Sequence, residues 1–194
     1  MTMKIVFMGT PDFAVPCLKW LAESGHEIAA VFTQPDKPKG RGYKLIPTPV
    51  KAAAQEYDIP VYQPTSLRKG DEAAEAYEIL KNIAPELIVV TAYGQILPKT
   101  ILDLPKYGCV NIHASILPKY RGAAPINWAI INGETETGAT TFFLTHEIDT
   151  GKIILQKHMT ISDTDNAGSV HDRLMIMGAE MVSQTVDMIL DGSV

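Results

Sequence analysis

The first 33 residues of this chain alternate between two periodicities, and that alternation leaves few folds open. Lys4 to Met8 is a short β-rich run, Phe13 to Glu23 repeats apolar residues at helical spacing, and Glu27 to Thr33 returns to a β-rich run. Strand, helix and strand in so short a stretch make a βαβ unit, whose parallel strands need a right-handed helical crossover. The pattern continues. Val50 to Tyr57 and Asp71 to Asn82 read as helices, Pro60 to Tyr62 as extended, and Leu87 to Thr91 and Gly108 to His113 as strands. Gly138 to Thr145 and Lys152 to Met159 read as two longer strands joined by a turn, and Asp165 to Leu190 as a long closing helix. Gln34 to Thr48 holds three prolines and two glycines and reads as a loop. The fold class expected is α/β: a Rossmann-like, open, mainly parallel twisted sheet with helices on both faces. No repeat or linker divides it, so residues 1–194 are expected to form one domain.

Composition enters as a set of exclusions. A chain of 194 residues buries roughly 70% of its unfolded surface and needs no staples. Cys17 and Cys109 lie in apolar runs without Cys-x-x-Cys spacing, so neither a disulfide framework nor a zinc site is indicated, and a reducing, cytoplasmic setting is expected. Ile5 to Met8 is too short for a signal sequence, and no run approaches the ~20 apolar residues of a membrane span. Gly9-Thr10-Pro11-Asp12 lacks the second and third glycines of a dinucleotide fingerprint, and no Gly-Lys-Ser/Thr loop is present, which disfavours NAD and ATP. His146-Glu147 does not continue into a zinc-binding helix motif, so no metal is expected.

The chemistry concentrates after the strand ending at His113. Side chains alternate along a strand, so Asn111 and His113 project from one face at its carboxyl end, where ligands of open α/β sheets bind. Asp149, in the turn Glu147-Ile148-Asp149-Thr150-Gly151 that is expected at the same carboxyl-end edge of the sheet, can orient or charge that imidazole. Singly, each residue is commonplace: a strand-end histidine is more often a hydrogen-bonded structural group, and Asp-Thr-Gly is ordinary turn chemistry. Together, an amide, an imidazole and a carboxylate can make a site for attack on a carbonyl.

The wider pattern comprises Asn111, His113, Ser115, Leu117-Pro118, Arg121-Gly122, Pro125 and Asp149-Thr150-Gly151. It resembles the signature of the folate-dependent formyltransferases. Two further strings, Met3 to Pro16 and Gln34 to Gly42, are similar to the branch of that family that formylates initiator Met-tRNA. The resemblance covers nearly the whole chain. That branch carries a further C-terminal β-barrel domain, so the chain is expected to be the catalytic domain alone, with the barrel absent.

The resemblance implies transfer of a formyl group from 10-formyltetrahydrofolate to the amino group of methionine on initiator Met-tRNA. Amine attack on the formyl carbon creates an oxyanion. Asn111 and protonated His113 would donate to it, and Asp149 would favour the charged ring. Either Asp149, through a water, or His113 would carry the amine proton. No covalent intermediate is needed, so Ser115 is read as a loop hydroxyl beside the folate rather than a nucleophile. The folate-binding residues implied are Tyr93, Gly94, Gln95, Ile96, Leu97, Ser115, Leu117, Pro118, Leu144 and Glu147. Independently of the resemblance, Tyr93-Gly94 permits close backbone approach and Ile96-Leu97 supplies apolar wall.

Thr10, Lys37, Lys39, Arg41 and Lys44 are the residues expected to meet the tRNA. Residues 34–44 carry a net charge of +3 within a chain of −5, leaving −8 elsewhere, and this local reversal of sign suits phosphate contact. No membrane and no obligate protein partner are expected. Three other readings stand beside this one: a sugar-nucleotide amine formyltransferase, a glycinamide ribonucleotide transformylase, and a noncatalytic α/β binding domain. The second normally has a Gly-Asn-Gly-Ser-Asn phosphate loop where this chain has Gly9 to Phe13.

Overall fold

Ile5, Val6, Phe7 and Met8 have no exposed surface, because their strand, β1 (Lys4–Gly9), runs through the middle of a sheet covered on both sides. A parallel strand in that position is apolar at every residue, not at alternate ones, and each buried side chain contributes about 2 kcal/mol. A computed structural model describes residues 2–39 and 44–194. After β1, a turn of 3-10 helix (Asp12–Ala14) leads into α1 (Val15–Glu23), then β2 (Glu27–Phe32), β3 (Lys37–Lys39), β4 (Lys44–Ile46), α2 (Pro49–Glu56), β5 (Val61–Tyr62) and α3 (Asp71–Ile83). The second half runs β6 (Leu87–Thr91), α4 (Lys99–Leu102), β7 (Cys109–His113), α5 (Pro125–Ile131), β8 (Glu136–Phe143), β9 (Ile153–Thr160) and α6 (Ala167–Asp191).

Seven strands form one sheet in the order β5-β2-β1-β6-β7-β8-β9. The first five are parallel, and β8 runs against both its neighbours. The chain leaves β1 in one direction and returns to its other side through β6, so the crevice between the carboxyl ends of β1 and β6 is the switch point of the fold. One face is covered by α1, α2, α5 and α6, the other by α3 and α4. The mainly parallel Rossmann-like sheet with helices on both faces is as expected from the sequence.

Local chemistry explains the long closing helix. Asn166 caps α6 by accepting from the Gly168 and Ser169 amides, Ser169 Oγ accepts from the Asn166 amide, and Gly192 ends the helix at φ +74°. Val170, Leu174, Gly178, Met181, Val182 and Thr185 bury its inner face. Gly178 lets Ile112 approach: an added Cβ would lie 3.0 Å from the Ile112 Cδ1.

Three features depart from the sequence reading. Residues 34–48 are not wholly loop, since β3 and β4 pair antiparallel with Pro38 opposite Leu45; three-residue strands are too short to show a period, and their prolines and glycines mask them. Helices α4 and α5 were not anticipated for the same reason of length. The third concerns Asp149, which does not sit at a carboxyl strand end shared with Asn111 and His113. Because β8 is reversed, Phe143 lies opposite Val110 and the Leu144 amide donates to the Cys109 carbonyl, at the amino end of β7. The segment between β8 and β9 then folds back over the sheet to bring Asp149 to His113.

Candidate active site

The strand period places Cys109, Asn111 and His113 toward the α3/α4 side of the sheet, while Val110 and Ile112 enter the opposite core. His113 is nearly buried and held on two sides. Its Nε2 lies 2.7 Å from the Tyr120 carbonyl oxygen, and its Nδ1 lies 3.6 Å from Asp149 Oδ2. A carbonyl only accepts, so Nε2 carries the hydrogen. The Nδ1 separation is that of a charge contact, too long for a hydrogen bond, and leaves Nδ1 able to engage a ligand.

Asp149 is positioned by backbone. Its Oδ2 accepts from the Gly122 amide at 2.8 Å, and it adopts φ +53°, the left-handed region. Two residues on, Gly151 packs so tightly that a Cβ there would stand 1.6 Å from the Phe143 carbonyl oxygen, which explains the glycine in the Asp-Thr-Gly string. Ala92, Tyr120, Ala124 and Asp149 all have positive φ without being glycine. Strain of this kind persists where surrounding structure over-determines it, and here it frames one site.

Two clefts meet at Asn111 and His113. One, of about 420 Å³, is bounded by Ala92 to Leu97 on one side and Leu144 to Asp149 on the other, with Val90 and Leu102 at its floor. The other, of about 480 Å³, opens toward Pro11, Phe13, Ala124, Ile126 and His171. Asn111, His113, Gly122 and Ala123 line both. Asn111 is half-buried, and its side-chain amide makes no hydrogen bond among the described residues, so it remains available to a ligand in either cleft.

Most expected folate residues line the first cleft: Tyr93, Gly94, Gln95, Ile96, Leu97, Leu144 and Glu147. The Gln95 amide is turned aside, bonded to the Leu67 amide and the Pro64 carbonyl. The Tyr93 hydroxyl is buried without a partner among the described residues, and burial pushes its ionisation up. Ser115, Leu117 and Pro118 line neither cleft. Ser115 Oγ donates to the Lys119 carbonyl, Thr140 Oγ1 donates to the Ser115 carbonyl and accepts from the Leu117 amide, and the Leu117–Pro118 peptide is cis. They shape the turn that delivers Tyr120.

Thr10 and Lys37 face a third recess beneath β3 and β4. Thr10 Oγ1 donates to the Tyr93 carbonyl at 2.8 Å, and Gln34 Nε2 donates to the same oxygen. Lys39 and Lys44 contribute backbone to the β3–β4 pair. Arg41 lies outside the described residues. Sequence reasoning missed Phe13 and His171, which meet edge to face at the mouth of the second cleft. The string Gly9 to Phe13 carried a signal for the first, and nothing marked His171. Burial pushes the Cys17 and Cys109 thiols up to about 12, which leaves them poor nucleophiles.

A model of the formyl transferase family matches residues 3–186. The chain belongs to this family. Within it, the chain is similar to the methionyl-tRNA formyltransferase of Pelotomaculum thermopropionicum, 55% identical over 190 residues, which are 98% of this chain and 59% of that protein. The methionyl-tRNA formyltransferase of Alkaliphilus oremlandii is 56% identical over 187 residues, 96% of this chain and 59% of the relative. This formyl transferase chain thus spans about three fifths of the length of these curated relatives. Among solved structures, phosphoribosylglycinamide formyltransferase from Bacillus halodurans superposes with a TM-score of 0.81 over 98% of this chain and 97% of its own, at 21% identity. That likeness shows the shared formyl transferase fold.

Proposed function

We propose that this chain catalyses formyl transfer from 10-formyltetrahydrofolate to the α-amino group of methionine on initiator Met-tRNA. The observation that carries it is the meeting of two clefts at one amide and one imidazole. A group transfer needs donor and acceptor on either side of the reacting carbon, and Asn111 and His113 stand where the two would touch. The first cleft fits a flat heterocycle: backbone groups of residues 92–97 along one edge, apolar Val90, Leu102 and Leu144 beneath. The second is walled by Pro11, Phe13 and Ile126, which suits an unbranched apolar side chain such as that of methionine. The relatives' names and their identity above one half favour that acceptor over a sugar-nucleotide amine or glycinamide ribonucleotide.

The geometry supports the following roles for the residues. A neutral amine adds to the formyl carbon, and the carbonyl oxygen takes negative charge. The Asn111 amide donates to that oxygen; a donor fixed in advance contributes about 3 kcal/mol. His113 holds its hydrogen on Nε2 toward Tyr120, so Nδ1 is the nitrogen turned to the reaction. In the neutral ring Nδ1 accepts the proton released by the amine. Once protonated it faces both the oxyanion and Asp149, whose carboxylate balances the ring's charge. Collapse of the intermediate returns the proton to the departing folate nitrogen. The cationic segment 34–44 contacts the acceptor stem of the tRNA, with Arg41 as its principal contact. Thr10, at the root of that segment, supports it.

A parallel assay offering Met-tRNA, a sugar-nucleotide amine and glycinamide ribonucleotide with 10-formyltetrahydrofolate tests the proposal. Turnover is expected with Met-tRNA. Preferred turnover with either competitor overturns the acceptor assignment.

A further inference from the structure

The contact that decides which nitrogen of His113 works is made by a backbone carbonyl, and that carbonyl belongs to a strained residue. Tyr120 adopts φ +55°, a conformation that costs a non-glycine residue about 1 kcal/mol or more. The turn shaped by Ser115, Leu117 and Pro118 delivers Tyr120, and its side chain is then tied down from outside: its hydroxyl donates to Glu134 Oε1 at 2.7 Å and accepts from Asn132 Nδ2 at 2.9 Å. Both partners lie on the short stretch between α5 and β8, anchored where the Glu134 amide donates to the Ala129 carbonyl. Lys119 Nζ stands 3.4 Å from Glu134, and the Tyr120 bond together with this cation holds the Glu134 carboxyl below the usual carboxylate range. None of these groups lines the two clefts.

We propose that Glu134 and the Tyr120 hydroxyl are positioning residues for catalysis, locking the Tyr120 carbonyl against Nε2 so that Nδ1 of His113 faces the substrate. The chain of contacts runs from the Glu134 carboxylate to the phenol, through the Tyr120 backbone to its carbonyl, and from there to the ring. Without the tether the left-handed turn relaxes, the carbonyl swings off Nε2, and the neutral ring gains its other tautomer, with the hydrogen on Nδ1. That tautomer has no lone pair toward the amine. Glu134 and the Tyr120 side chain line neither cleft, so the effect is expected in turnover and not in the binding of either substrate. This inference deepens the formyl-transfer reading and rests on it for its kinetic arm.

The test combines kinetics with nitrogen-15 spectra of the His113 ring, assigned by loss of its signals in His113→Gln. Tyr120→Phe and Glu134→Leu are each expected to lower kcat about tenfold with KM for both substrates unchanged, as small misplacements of a reacting group do. The double variant should be no worse than Tyr120→Phe alone, and Glu134→Gln, which keeps an acceptor, should recover most of the loss. In the spectra the parent chain should show the neutral ring with its hydrogen on Nε2, and the two variants a mixture of tautomers. Unchanged kcat in folded Tyr120→Phe and Glu134→Leu overturns the proposal, as does a loss confined to KM. An unaltered His113 ring pattern in both variants also overturns it. Should the parent chain fail to formylate Met-tRNA, the functional reading falls, while the ring spectra still decide the positioning role.

Discussion

Asp149 Oδ2 accepts the Gly122 amide at 2.8 Å while standing 3.6 Å from His113 Nδ1. One carboxylate oxygen therefore joins the segment after β8 to the turn after β7 and places a negative charge beside the ring. In the formyl-transfer proposal Asn111, His113 and Asp149 act on one transition state. Asn111→Ala, His113→Ala and Asp149→Ala should each lower kcat by about 10² or more, and paired substitutions should combine non-additively. Near parental turnover in His113→Ala at saturating folate and tRNA would remove the assignment.

A folate analogue should protect amides of residues 93–97 and of 144–149 from hydrogen exchange together, since both segments bound one cleft. Protection limited to residues 34–44 would put the donor elsewhere.

Gly151→Ala tests how Asp149 is delivered. The added methyl collides with the Phe143 carbonyl, and a backbone neighbour cannot move aside as a flexible side chain can. A loss of about 3 kcal/mol is expected from such overpacking, with a fall in kcat beyond that of an equally destabilising substitution remote from the site. Calorimetry and kinetics on the same preparation check this.

Asp165 supplies a stability effect with a defined pH window. It accepts from the Ser162 amide and from Ser169 Oγ, and it pairs with Arg173 at 2.6 Å. These partners lower its ionisation to about 2 from an ordinary 3.8. A carboxyl depressed on folding stabilises above its ordinary value and loses that contribution as pH falls through the folded one. Asp165→Asn should thus lower Tm at neutral pH, with the gap to the parent chain closing between about pH 4 and pH 2. A gap that stays constant across this range would dissociate the effect from ionisation.

Arg41→Ala should raise KM for Met-tRNA and leave folate binding unchanged. A guanidinium on phosphate releases about one counterion, so the salt slope of tRNA binding should fall by roughly one unit. Identical tRNA kinetics in Arg41→Ala and the parent protein would return residues 34–44 to the role of a solvated charged segment.

Much of the site was legible because strand periodicity is local. Asn111 and His113 share a face on account of their spacing alone, and the glycine in the exit at Tyr93-Gly94 permits close approach. The rest depended on contacts that no window of sequence contains. Ser115, Leu117 and Pro118 read as ligand contacts through the family resemblance, yet polar atoms of Ser115 and Leu117 are taken up by nearby Lys119 and by Thr140 and Gln156 from distant strands. His171 reached the second cleft from the far end of the chain, on a helix whose inner face gives no hint of a ligand. The reversal of β8 was hidden because a strand's composition does not reveal its direction.

That reversal sets how far the chain must run to deliver the Asp149 carboxylate. Phe143 lies opposite Val110, three steps short of His113, so the chain must travel about 10 Å, at 3.3 Å per residue, to deliver Asp149. It has residues 144–148 with which to do so. Six virtual bonds from Phe143 to Asp149 span at most about 20 Å when fully drawn out, and the left-handed bend at Asp149 uses up part of that reach. Removing one residue would leave about 17 Å, still more than the distance to be covered. The segment therefore has reach to spare, and what pins the carboxylate beside the ring is its bond to the Gly122 amide together with the left-handed backbone at Asp149.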